Sequence, residues 1–205
     1  MTSDMLKQAI EQAAATVRQT NPLTPSITNT VTINFVANAQ LAVGGSAAMV
    51  YLPDEGEGLA RICDAMYINV GTLFPIYAET LPKTAKTLHE EQKPWVLDPV
   101  AIGLGKMRMD LLTQFKEYKP SIIRGNASEI IALAGLWNVS GGSAVSDVRG
   151  VDSTDTVQAA KDAAMALASW TGGAVAVSGK EDLITDGKQV ALSRGGSPMM
   201  PCITG

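Results

Sequence analysis

The chain has 205 residues, 46% hydrophobic and 18% charged, with a formal net charge of −4 and a pI near 5.0. That length and apolar content suffice for a full hydrophobic core, so a single domain spanning 1–205 is expected. Mild acidity and scattered Lys and Arg exclude a non-specific nucleic-acid or membrane-surface binder. No apolar run reaches the ~18 residues of a membrane span, and charges interrupting 3–20 argue against a signal peptide. Cys63 and Cys202 are far apart and match no metal spacing or disulfide framework. A reducing, cytoplasmic setting is therefore the default expectation.

Leu6, Ile10, Ala13, Ala14 and Val17 recur at helical spacing, with Ser3 as N-cap and Asn21-Pro22 as the stop. Residues 30–41 are ambiguous. Their β-branched side chains favour strand, yet Ile33, Val36, Ala37 and Leu41 fit one helical face, and a helix from Thr32 is expected. Strand-like runs begin at Ala47, Met66, Trp95, Ser121, Ala174, Leu183 and Gln189. Helical patterns cover about 56–65, 76–92, 107–118, 127–136 and 154–171. Buried runs alternating with helices predict an α/β fold with a mainly parallel central sheet covered on both faces. The last two runs, joined around Asp186-Gly187, predict an edge hairpin. Gly141-Gly142-Ser143 reads as a surface loop, and no internal repeat is evident.

Ligands of such sheets bind beyond the carboxyl ends of the strands, which singles out Asn69, Asp98, Arg124 and Ser178. Asp98-Pro99 closes a buried strand and reads either as a turn initiator or as a site carboxylate. Arg124 offers a charged fork suited to phosphate, and Asn126 can cap the following helix. Glu129 completes a capping box with Asn126, which alone could account for it. If their strands are neighbours, Asp98 and Glu129 project from one sheet edge. Such a pair suits magnesium, which takes one or two carboxylates and bridges phosphate oxygens. Ser178-Gly179-Lys180 is not a P-loop: Ala174 stands where the first glycine belongs and Glu181 where Ser or Thr belongs. No Gly-x-Gly-x-x-Gly follows the first strand-like run, which weighs against a dehydrogenase. Met49 reads as core and His89, among Glu90, Glu91 and Lys93, as solvated. Asn126-Ala127-Ser128 and Asn138-Val139-Ser140 match the glycosylation pattern, which has no meaning without secretion.

Pro22-Leu23, Ser26-Ile27-Thr28-Asn29, Asn34-Phe35-x-Ala37-Asn38, Asn69-x-Gly71-Thr72-Leu73, Leu97-Asp98-Pro99-Val100 and Ile123-Arg124-Gly125-Asn126-Ala127-x-Glu129 follow in that order. Gly150-Val151-Asp152-Ser153 and Ile203-Thr204-Gly205 complete the series. In this the chain resembles the hydroxyethylthiazole kinases, thiamine-salvage enzymes of the ribokinase-like fold. The resemblance implies transfer of the ATP γ-phosphate to the primary alcohol of 4-methyl-5-(2-hydroxyethyl)thiazole with Mg2+, in a homotrimer whose sites lie between subunits. By position it implies that Met49 contacts the thiazole, with Asn29 near it, and that Arg124, Asn126 and Ser178 serve ATP. Asp98 and Glu129 match the residues organising magnesium and phosphates, and Gly205 matches a glycine of the substrate and anion-binding segment. Pro25 stands where the family usually has His, and Ala101 replaces the glycine expected after Asp98-Pro99-Val100. Gly103-Leu104-Gly105-Lys106 also departs from the usual continuation. The family continues beyond Thr204-Gly205 into a Gly-Cys turn and further helices. A chain lacking them is expected to be impaired, with one sheet face uncovered. A kinase for another small alcohol, a pyrimidine or a sugar, remains an alternative. So does a non-catalytic nucleotide-binding or interaction protein.

Overall fold

The computed structural model describes residues 3–139, 157–195, 197 and 199. The described elements, in chain order, are α1 (Ser3–Thr20), β1 (Leu23–Ile27), α2 (Ile33–Val43), β2 (Ser46–Met49), α3 (Pro53–Ile62), β3 (Met66–Asn69), α4 (Tyr77–Glu90) and β4 (Trp95–Asp98). They continue with α5 (Lys106–Tyr118), β5 (Ile122–Asn126), α6 (Ala127–Leu136), α7 (Lys161–Thr171), β6 (Ala174–Ser178), β7 (Asp182–Thr185) and β8 (Val190–Ser193). The strands form one sheet in the order β2-β1-β3-β4-β5-β6-β7-β8. Neighbours are parallel from β2 to β6, and β6, β7 and β8 run antiparallel to one another. The expected α/β fold with a mainly parallel sheet and an edge hairpin is therefore present.

Residues 33–43 form the helix expected from Thr32, ended by Gly44 in the left-handed region at φ 105°. Other local features depart from the sequence reading. Helix α3 begins three residues before the expected 56, because Pro53 occupies the first turn with Asp54 and Glu55. The expected 154–171 helix is seen from Lys161; 154–156 lie outside the described residues, as do Gly141-Gly142-Ser143. Strand β1 has no counterpart in the sequence reading, because Pro25 punctuates it. Leu23 bonds Asp64 on the β3 side through both its N–H and its C=O. Alternation then turns the missing N–H of Pro25 to that same side, where pairing with β3 begins only at Ser26. A proline thus fits an interior strand without breaking its ladder.

Register explains the core. Ile68, Leu97, Ile123 and Val175 stand beside one another on successive strands and are fully buried. They pack with Leu81, Leu88, Phe115, Ile130, Leu133 and Leu167 from α4 to α7. The opposite face is less enclosed: Val96, Ala174, Ala176 and Ile184 are half-buried, and Ile122 and Arg124 are exposed. No described helix is long and apolar enough to cross a membrane.

Candidate active site

Asp98 is the last residue of β4, and its register partner on β3 is Asn69. Tyr67 lies two residues before Asn69 and so shares its face of the sheet. The Tyr67 hydroxyl donates to Asp98 Oδ2 at 3.0 Å and accepts from Asn69 Nδ2 at 3.2 Å. Arg124 Nη1 donates to the same Oδ2 at 3.3 Å. The ion pair is lopsided, since the Asp98 side chain is 5% exposed and that of Arg124 55%. Asp98 Oδ1 is buried and has no hydrogen-bond partner among the described residues. Burial pushes the Asp98 carboxyl above the ordinary range, opposed chiefly by the Arg124 charge and the Tyr67 hydrogen bond. The Tyr67 hydroxyl is pushed well up, first by burial and then by the Asp98 charge.

The hydrogen-bonded line continues towards β1. Asn29 Nδ2 donates to Asn69 Oδ1 at 3.3 Å, and the Gly71 N–H reaches the same oxygen at 2.9 Å. Asn29 Oδ1 accepts from Thr32 N–H and hydroxyl at the entry to α2. A Cβ at Gly71 would lie 2.8 Å from Asn69 Oδ1 and 2.9 Å from Asn29 Cβ. Only glycine lets the turn after β3 close over these amides. Arg108 of α5 fastens that turn by donating to the carbonyls of Val70, Gly71 and Leu104.

Glu129 sits one turn into α6, 3% exposed. The capping box is present: Asn126 Oδ1 accepts from Glu129 N at 2.9 Å, and Glu129 Oε2 accepts from Asn126 N at 2.8 Å. Glu129 Oε1 accepts from Ala101 N at 3.2 Å, so one carboxylate ties the turn after β4 to the start of α6. Burial raises its pKa, the Asn126 N–H lowers it, and the nearby Asp98 charge raises it again. A Cβ at Gly125 would stand 3.2 Å from Glu129 Oε2, which keeps that position small.

The sequence-predicted residues divide accordingly. Asn69, Asp98 and Ser178 end their strands as expected, whereas Arg124 lies inside β5, two residues before its end. Ser178 stands opposite Asn126 in the β5–β6 register. Asn29 joins the Asp98 network through Asn69. Met49, half-buried at the end of β2, is three strands from β4, about 14 Å at ~4.8 Å per strand. Gly205 and the Gly150-Val151-Asp152-Ser153 segment lie outside the described residues. Tyr67 was not singled out by sequence, although the alternation Met66-Tyr67-Ile68-Asn69 puts its hydroxyl on the face of Asn69. Among the described residues, no three His, Cys, Asp or Glu side chains converge into a metal-holding group. Magnesium does not need three: it keeps several waters and uses one or two carboxylates. The unpartnered Oδ1 of Asp98 fits that demand.

The sequence model of the hydroxyethylthiazole kinase family matches residues 14–205. The chain is 50% identical to the hydroxyethylthiazole kinase of Bifidobacterium adolescentis, an alignment covering 98% of this chain and 71% of that protein. The chain belongs to the hydroxyethylthiazole kinase family. With the family member of Citrobacter koseri the identity is 44%, over 100% of this chain and 76% of that protein. The solved hydroxyethylthiazole kinase structure from Pyrococcus horikoshii OT3 superposes with a TM-score of 0.81 at 31% identity, over 96% of this chain and 71% of that one. Pyridoxal kinase from Staphylococcus aureus, at TM-score 0.57 and 16% identity over 83% of this chain and 70% of that one, shares the fold alone. The Asp98–Arg124 pair lies towards the carboxyl edge of the parallel sheet, where ligands of such folds bind.

Proposed function

We propose that the chain transfers the γ-phosphate of ATP to the primary alcohol of 4-methyl-5-(2-hydroxyethyl)thiazole, acting with Mg2+ in the cytoplasm, and that residues 1–205 belong to one ribokinase-like domain. The observation that carries this reading is the Asp98 carboxylate, buried at the strand ends with one free oxygen and paired with a solvent-facing Arg124, in a chain of this family. Phosphoryl transfer demands mainly positioning and charge neutralisation, and both are built into these residues. Arg124 turns its exposed guanidinium towards phosphate oxygens while Asp98 keeps it from folding back. Asp98, through its unpartnered oxygen, and Glu129, whose oxygens already accept two backbone N–H groups, would hold the cation. Magnesium would supply charge neutralisation for the phosphates. Asn126 and Ser178, side by side across β5 and β6, line the nucleotide end, and Gly205 belongs to the substrate and anion-binding segment.

Met49 and Asn29 lie at the other end, towards α2, where Phe35, Leu41 and Val43, like Val31 just before the helix, are exposed. That surface suits the interface of a homotrimer, in which a second copy closes the thiazole site. ADP release measured with the thiazole alcohol, a pyrimidine alcohol and a sugar tests the substrate. The thiazole alcohol is expected to exceed the others at least ~100-fold in kcat/KM, and equal rates would overturn the assignment. Phe35→Asp is expected to convert trimers to monomers by light scattering.

A further inference from the structure

We propose that Tyr67 is a positioning residue for phosphoryl transfer, fixing the plane of the Asp98 carboxylate so that one oxygen is held and the other is left to face the site. This rests on the kinase reading above and names how its central carboxylate is held. The terminal torsion of an aspartate is broad, so the backbone of β4 alone does not fix the plane of the carboxylate. Two donors fix it by both ending on one oxygen, Oδ2: the Tyr67 hydroxyl at 3.0 Å and Arg124 Nη1 at 3.3 Å.

These donors differ in kind. Arg124 has a side chain 55% exposed, on a long flexible stem, and in this reading it also serves phosphate. Its hold on Asp98 must change as a nucleotide arrives. Tyr67 sits on the adjacent strand, a rigid ring with two torsions, and its hydroxyl is pinned from behind by Asn69 Nδ2 at 3.2 Å. Asn69 is in turn oriented by the Gly71 N–H at 2.9 Å. The chain Gly71 N–H, Asn69, Tyr67, Asp98 carries a fixed main-chain direction into the carboxylate, and it leaves Oδ1 as the unpartnered oxygen. Burial and the Asp98 charge keep the phenol protonated, so its contribution is a hydrogen bond and not a proton. Ligand-orienting partners of this sort are typically worth 10–100-fold in metal affinity or activity.

Tyr67→Phe removes only the hydroxyl and keeps the ring. Its kcat on ATP and the thiazole alcohol is expected to fall about 10–100-fold, with both KM values within about twofold of the parent. Mn2+ titration without nucleotide, followed by electron paramagnetic resonance, provides a reading independent of turnover, with Asp98→Asn marking complete loss. Tyr67→Phe is expected to weaken Mn2+ binding at least tenfold. A variant within twofold of the parent in both kcat and Mn2+ affinity would overturn the proposal, as would a loss confined to KM. If the parent leaves the thiazole alcohol untouched, the kinase reading fails, and the Mn2+ comparison still decides the role of Tyr67.

Discussion

The two ends of β4 are three residues apart, about 10 Å, and are built on opposite terms. At the N-terminal end Trp95 is 1% exposed, packs edge-on against Phe115 at 5.5 Å and 77°, and gives its indole N–H to the Tyr118 carbonyl at 3.3 Å. Its apolar area is enclosed and its one donor is used. At the C-terminal end Asp98 is almost as deeply buried, yet it keeps one oxygen without a protein partner. The turn beyond it holds Ala101 at φ 60°, a region that disfavours side chains. One end of the strand satisfies every group and supports the fold. The other leaves a group unsatisfied and a residue strained, which is the pattern of a site held in place by the surrounding structure.

The contrast is broken most severely at its stable end. Trp95→Ala is expected to cost about 3–5 kcal/mol in denaturant unfolding, while the folded fraction keeps its kcat. A cost near 1 kcal/mol would mean that the N-terminal end is not the anchor. At the other end Asp98→Asn is expected to lower kcat about 10²–10³-fold and leave the melting temperature unchanged or raised. The amide still accepts from Tyr67 and Arg124, the desolvated charge is gone, and the exposed Arg124 stays solvated without its partner. The pH dependence sharpens this. Burial raises the carboxyls of Asp98 and Glu129 in the folded protein. The native state therefore binds these protons more tightly than the unfolded chain, and stability falls as pH rises from the ordinary carboxylate range through the raised folded values. With Asp98 in the proposed cation-holding role, activity is expected to change in the opposite sense, declining as pH falls through that window. Asp98→Asn should flatten the stability slope, measured as melting temperature against pH. An unchanged slope would remove Asp98 from that role.

A smaller effect is expected in the turn after β3, which closes over the amides beside the C-terminal end of β4. Gly71→Ala places a methyl within 2.9 Å of both asparagine side chains and should cost about 1–3 kcal/mol, in the range of overpacked sites. Because Asn29 and Asn69 must both give way, the KM for the thiazole alcohol should rise several-fold with it. Stability loss without any change in KM would separate Asn29 from the substrate.

Much of this was legible in the chain, for reasons that differ by element. The Asp186-Gly187 turn marks the β7–β8 hairpin, and apolar periodicity reaches the α/β alternation and the half-buried face of the helix at 33–43. It does not reach β1: Pro25 breaks the pattern, and only the late start of β3 pairing makes that proline harmless. The capping box of Asn126 and Glu129 follows from spacing alone, since both partners are local. That Glu129 also holds the Ala101 N–H depends on the packing of β4 against β5, which no local pattern encodes. The hydroxyl of Tyr67 is of the same kind. Its residue type suits a strand interior, and its function emerges only when the register sets Asn69 beside Asp98.

Ala101 supplies the finest test, because there the resemblance to the family and the geometry meet at one dihedral. The family pattern expects glycine after Asp98-Pro99-Val100, and the chain has Ala101 at φ 60°. A left-handed conformation costs an L-residue about 1–2 kcal/mol, whereas glycine adopts it freely but gives the unfolded chain about 0.4–1 kcal/mol of extra entropy. The difference predicts that Ala101→Gly stabilises by about 0.5–1 kcal/mol. The left-handed conformation is held in spite of that cost because the Ala101 N–H is aimed at Glu129 Oε1, 3.2 Å away. Glycine keeps the same N–H, so kcat should hold within about twofold while the unfolding midpoint rises. A midpoint that falls would mean that the methyl group contributes packing greater than the strain. The unfavourable character of the C-terminal end of β4 would then reside in Asp98 alone.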